Sequence, residues 1–115
     1  MRFAIFGTGG VGGFYGGMVA RCGHEIVFIA RGEKLKAMKE KGLIVKSFQH
    51  GEWTVKEDGK RVIFTDRPEE AGKVDVVFVC VKSYDTENVA PKLLPMLKED
   101  SVVVSIQNGI ENEEI

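Results

Sequence analysis

Residues 2–12 read Arg2-Phe3-Ala4-Ile5-Phe6-Gly7-Thr8-Gly9-Gly10-Val11-Gly12. The run from Arg2 to Phe6 is short, apolar and rich in aromatic and branched side chains, which suits a strand buried on both faces. It stops at Gly7. From Gly10 to Cys22 the residues Val11, Phe14, Tyr15, Met18 and Val19 recur at three- and four-residue steps, and Gly23 supplies a stop, so a helix follows the turn directly. Gly7, Gly9 and Gly12 therefore form G-x-G-x-x-G between a strand and a helix, the context that gives this motif its meaning.

The spacing has a mechanical reading. Gly7 permits a tight turn, Gly9 removes a side chain that would block a pyrophosphate, and Gly12 lets the helix pack closely on the sheet. Thr8, Gly10 and Val11 complete the loop, whose unpaired amides and helix dipole face an anion. No G-x-x-x-x-G-K-[S/T] occurs, so a nucleoside-triphosphate loop is not supported. In a dinucleotide fold an acid about 20 positions on commonly binds the adenine ribose. Here the second strand ends Ile29-Ala30-Arg31-Gly32. Arg31 cannot accept a ribose hydroxyl proton, but its planar donors match a phosphate dianion. NADP(H) is expected over NAD, with Glu33 near enough to pair with Arg31 or Lys34.

The remaining chain supports an alternating order. Glu25–Ala30 is a second strand, and Glu33–Lys41 a second helix ended by Gly42. Residues 43–48, 53–56 and 61–65 are short alternating runs, expected as small, partly antiparallel strands. Val74–Val81 and Ser101–Ile106 are further strands, and Asp85–Lys98 between them is a helix that Pro91 and Pro95 interrupt, or whose second part Pro91 opens. Asp85 and Glu87 suit its amino end. The fold class expected is α/β: a Rossmann-like, doubly wound, mainly parallel sheet with a small, partly antiparallel insertion. Trp53 and Phe48 are expected to cover the small middle strands.

Composition narrows the partners. The chain has 115 residues, with 16 Lys and Arg against 17 Asp and Glu, for a net charge of −1. That is one domain by length, with no cationic excess for nucleic acid or an anionic membrane. Fourteen glycines far exceed the usual ~7%, and the turn accounts for several. The uncharged stretch Phe3–Ala20 imitates a signal peptide or span, but its glycines weaken a membrane helix and no A-x-A site follows. A cytoplasmic chain is expected. Cys22 and Cys80 read as buried thiols in a reducing compartment, His24 as structural, and no His, Cys and carboxylate spacing suggests a metal.

Two polar groups follow the later strands, at the end where ligands lie in open parallel sheets. Lys82 could neutralise a cofactor phosphate or simply be solvated. Asn108 could orient a nicotinamide ribose or substrate, or only form an Asn-Gly turn.

Taken together, Gly7-Thr-Gly-Gly-Val-Gly12, Ala30-Arg31, Val81-Lys82-Ser83 and Gln107-Asn108-Gly109 resemble the amino-terminal half of the ketopantoate reductase (2-dehydropantoate 2-reductase) family. The resemblance implies NADPH-dependent reduction of 2-dehydropantoate to (R)-pantoate in pantothenate and coenzyme A synthesis. It implies the glycine turn as the pyrophosphate site, Arg31 and Lys82 as contacts near the 2′-phosphate, and Asn108 as a cofactor and substrate contact. It also places the catalytic lysine in a helical carboxyl-terminal domain, so no catalytic residue is expected within residues 1–115. The tail from Asn108 suits the opening of a helix with no body after it, which reads as a truncated dinucleotide-binding domain. Glu111 stands where the family often has glycine. Other readings stay open: another NADP-dependent 2-keto or 3-hydroxy acid reductase, or a nonenzymatic nucleotide-sensing module. A homodimer through exposed apolar surface also stays open.

Overall fold

A computed structural model describes residues 1–7, 10–47, 49, 51–80 and 91–105. In chain order the elements are β1 (Arg2–Phe6), α1 (Gly10–Arg21), β2 (Glu25–Ile29), α2 (Gly32–Lys41), β3 (Leu43–Ser47), β4 (Gly51–Val55) and β5 (Val62–Thr65). A 3-10 turn (Pro68–Ala71), β6 (Val74–Val79), a second such turn (Leu94–Met96) and β7 (Leu97–Ser105) follow.

Five strands form one sheet in the order β5-β2-β1-β6-β7, and every neighbouring pair is parallel. β1 is central. The chain builds outward to β2 and β5, then returns past β1 to add β6 and β7 on the other side. The order reverses between β1 and β6, so a crevice is expected at the carboxyl ends of those two strands.

Both faces of the sheet are covered at its central strands, β1 and β2, which explains why they read as unbroken apolar runs rather than alternating ones. On one face Ile5, Ile26, Phe28, Val62 and Phe64 pack with Met38 of α2 and with Leu43, Val45 and Val55 of a separate two-stranded sheet. On the other, Ala4, Val27, Ile29 and Val77 pack with Ala71, Leu93 and Met96. Phe28 and Phe64 meet edge to face, with centroids 5.5 Å apart, and each is worth roughly 1.5–3 kcal/mol by burial. The doubly wound α/β class is thus observed, with β3 and β4 as the antiparallel insertion.

Three sequence expectations are corrected. The run 61–65 does not join the insertion: β5 pairs parallel with β2, because Val62 and Phe64 are needed to cover the main core. The stretch expected to close a helix at Lys98 is instead the start of β7. Residues 91–93 are helical, Pro95 falls in the following 3-10 turn, and the chain then extends. The partner of β6 jumps from Val74↔Leu97 to Val76↔Val102. Ser101 Oγ fills that break, accepting from Lys98 N at 2.8 Å and donating to the Val74 carbonyl at 2.7 Å. Finally, Cys22 is exposed, not buried, since it lies in the turn just beyond α1. Phe48, Asp85 and Glu87 lie outside the described residues.

α1 is too short to cross a membrane, and no described helix is long and apolar enough to do so. Trp53 does cover the insertion as expected, and it does more. Its indole Nε1 donates to the Gly17 carbonyl of α1 at 3.3 Å, and the Arg21 guanidinium stacks 4.5 Å above its ring. His24 sits against Phe3, ring centroids 5.3 Å apart, at the opposite end of β2 from Arg31.

Candidate functional site

The carboxyl edge of the central strands is fixed by register. Phe6 pairs with Ile29 on one side and Val79 on the other. One residue beyond, Gly7 N donates to the Ile29 carbonyl at 3.3 Å and Cys80 N donates to the Phe6 carbonyl at 2.8 Å. Gly7, Ala30 and Cys80 therefore stand side by side where the sheet order reverses.

Gly7 has φ +92°, a conformation that carries a steric cost for any residue with a Cβ. The chain turns there and enters α1 at Gly10. A Cβ on Gly12 would lie 2.7 Å from the Gly7 carbonyl oxygen, 3.0 Å from Ile5 Cγ2 and 3.3 Å from Cys80 Cβ. Helix α1 thus approaches β1 and β6 as closely as a bare backbone allows. Gly16 continues the contact one turn on, where a Cβ would collide with the Phe28 ring at 2.3 Å. Gly17 does the same against Val45 at 2.4 Å. The sequence pointed to Gly12; Gly16 and Gly17 were legible only as helix residues, because their partners come from β2 and β3.

Gly10 and Val11 are the first two residues of α1, so their amides belong to the set that a helix leaves without internal partners. Thr8 and Gly9 lie outside the described residues. The aligned peptide dipoles put partial positive charge at this end. This end of α1 thus offers positive potential without a cationic side chain in the turn.

Arg31 is the N-cap residue of α2, extended at φ −147° and ψ 168°, with no side-chain hydrogen bond to the helix. It is exposed, and among the described residues it forms no ion pair, with Glu33 or otherwise. Gly32 follows at φ +63° with open space where a Cβ would stand. Lys82 and Asn108 lie outside the described residues; the strands that precede them, β6 and β7, end at the paired residues Val79 and Ser105. Cys80, which the motif reading did not include, forms part of the floor under Gly12. Its burial pushes the thiol up to about 11, so it is a neutral packing group rather than a nucleophile.

Residues 3–115 match the family described as Ketopantoate reductase PanE/ApbA. The chain belongs to this family. It is 41% identical over 114 residues to a 2-dehydropantoate 2-reductase of Archaeoglobus fulgidus, covering 99% of this chain and 34% of that protein. A PanE/ApbA family ketopantoate reductase of Ralstonia eutropha superposes with a TM-score of 0.81 at 38% identity, covering 99% of this chain and 36% of the other. A 2-dehydropantoate 2-reductase of Geobacter metallireducens gives 0.81 at 32% identity, with 99% and 36% covered. The chain spans about a third of the length of the curated relatives it matches. Within the ketopantoate reductase family, then, it corresponds to the amino-terminal sheet domain, and the solved relatives share its Rossmann-like fold.

Proposed function

We propose that this chain is the NADPH-binding domain of a 2-dehydropantoate 2-reductase, an oxidoreductase that reduces 2-dehydropantoate to (R)-pantoate. The observation that carries the reading is the contact between Gly12 and the Gly7 carbonyl at the sheet's reversal point. A side chain at Gly12 would displace the helix whose amino end is the anion site, and one at Gly7 would strain the turn that leads into it. That cradle fits a dinucleotide pyrophosphate, which carries two negative charges and needs close backbone approach.

In this reading Gly7, Thr8, Gly9, Gly10, Val11 and Gly12 hold the pyrophosphate through main-chain amides. Arg31 pairs with the 2′-phosphate, since a guanidinium offers several donors in a fixed plane to a dianion. Its lack of an ion pair among the described residues supports this, because no carboxylate there competes for the donors. Lys82 adds a second cation toward the cofactor, and Asn108 orients the nicotinamide ribose and the substrate by hydrogen bonding. Bound NADPH supplies the hydride that reduces the C2 carbonyl. The proton for the resulting alcohol comes from a lysine outside residues 1–115. The neutral Cys80 thiol keeps the floor of the site uncharged.

Titration of the protein with NADPH and NADH tests the cofactor, read through quenching of its single tryptophan, Trp53. NADPH binds more tightly, and Arg31→Glu weakens NADPH far more than NADH. Equal affinities in the unaltered protein remove the role given to Arg31. Assay of the full-length reductase that carries this domain, with NADPH against a panel of branched 2-keto acids, tests the substrate: turnover of other acids but not 2-dehydropantoate overturns that part of the reading.

A further inference from the structure

We propose that Arg67 is a second determinant of cofactor choice, setting a guanidinium beside that of Arg31 to hold the 2′-phosphate of NADPH from both sides; this rests on the dinucleotide reading above. The argument begins with register. Ile29 of β2 pairs with Thr65 of β5, and Arg31 and Arg67 each stand two residues beyond that pair. Ala30 N donates to the Thr65 carbonyl at 3.0 Å, so the two chains stay joined one residue past it. Neighbouring strands run about 4.8 Å apart, which brings two long cationic side chains to one corner of the carboxyl edge.

The two positions are built alike. Arg31 caps α2 and Arg67 caps the 3-10 turn at Pro68–Ala71, and both have extended backbones with no side-chain hydrogen bond to the turn that follows. Pro68 keeps Arg67 extended, because a residue before proline is pushed out of the helical region. The Arg67 amide is held by Thr65 Oγ1 at 3.1 Å, and Thr65 is only 4% exposed, so the backbone beneath the side chain is anchored. Glu70, the carboxylate of this turn that reaches back to the sheet, accepts a hydrogen bond from Thr65 Oγ1. Asp66 and Glu69 are exposed to solvent, and among the described residues Arg67 has no ion-pair partner. Two like charges set close together repel in water. A phosphate dianion between them reverses that sign and can accept from both planar donor sets.

The test is a set of dissociation constants for NADPH and NADH in the unaltered protein and in Arg67→Ala, Arg67→Lys and Arg31→Ala. The expected result is a loss of about tenfold for NADPH in Arg67→Ala, the size of one charge-assisted contact. NADH affinity stays within about twofold of the starting value, and Arg67→Lys recovers part of the loss. Unchanged NADPH affinity in Arg67→Ala, while Arg31→Ala loses it, overturns the role of Arg67 and leaves the reading of Arg31 standing. Equal losses for both cofactors also overturn it, since they mark packing on the adenine rather than contact with the phosphate. If the unaltered protein does not prefer NADPH, the underlying reading fails and takes this inference with it.

Discussion

The α-carbon of Gly12 faces the carbonyl oxygen of Gly7 so closely that a Cβ there would lie 2.7 Å away. A backbone oxygen cannot swing aside as a flexible side chain can, so Gly12→Ala must push α1 off the sheet. The neighbouring Gly13 is a built-in control: its Cβ would meet only Leu43 methyls at 3.7 and 3.9 Å. Alanine also gains about 1 kcal/mol over glycine in a helix. Gly12→Ala should lose about 1–3 kcal/mol of stability together with dinucleotide affinity, while Gly13→Ala is neutral or stabilising and binds normally. Urea denaturation and NADPH titration of the two variants check this; similar behaviour of both would contradict it.

A second prediction concerns acid. Asp75 Oδ2 accepts from the Arg2 amide at 2.8 Å, and its other oxygen pairs with Lys98 Nζ. The Lys98 contact first, and then the Arg2 amide, hold the Asp75 carboxyl below its ordinary value of 3.8. A carboxyl depressed in the folded state stabilises the fold above its unfolded value, and that contribution fades as pH falls through the folded value. The same contact raises Lys98 above 10.5, so its share persists through neutral pH and is lost only as pH climbs past the raised value. Denaturation of the unaltered protein and Asp75→Asn should therefore differ most near neutral pH, the gap narrowing as pH falls through the depressed Asp75 value and as it rises through the raised Lys98 value. Added salt should narrow the gap, because the pair is exposed. A gap that does not narrow as pH falls below 3.8 would show that the charge is not its source.

Much of this was legible from local sequence. The glycine turn, the flanking strand and helix, and Arg31 at the second strand's tip are all set within a few residues of each other. What the sequence did not disclose depends on distant partners. β5 looked like part of the insertion because four residues of alternating pattern cannot say which strand they join; the decision lies in Ile26, Phe28 and their cover. Lys98 was expected to close a helix, but the pairing of Leu97 with Val74 and the hydroxyl of Ser101 hold the chain extended. Cys22 looked buried because cysteine usually is, yet it stands exposed in the turn after Arg21.

The two thiols should separate cleanly by reactivity. Cys22 is exposed, whereas Cys80 is half-buried beside Gly12 and its thiol is pushed up to about 11. Only the thiolate attacks an alkylating agent. At pH 8 iodoacetamide should label the folded protein once, at Cys22, and should reach Cys80 only after denaturation. Peptide mass spectrometry locates the label; early modification of Cys80 would show that the floor of the site opens in the native state.

Trp53 supplies the last prediction, because it joins the insertion to the helix of the turn. Its indole donates to Gly17 and its ring carries the Arg21 guanidinium, so two contacts of different kind can be removed in turn. Trp53→Phe keeps a ring for Arg21 but loses the donor, a change of about 0.5–1.5 kcal/mol. Arg21→Ala keeps the donor and loses the stacked cation, worth about 0.5–1 kcal/mol at an exposed site. Because Gly17 and Arg21 both belong to α1, each variant should weaken that helix without touching the turn itself. Hydrogen exchange should then quicken along α1, at Met18 and Val19 above all, with the amides of β1 and β6 unchanged. Faster exchange in the strands as well would mean that the insertion supports the whole sheet rather than the helix alone.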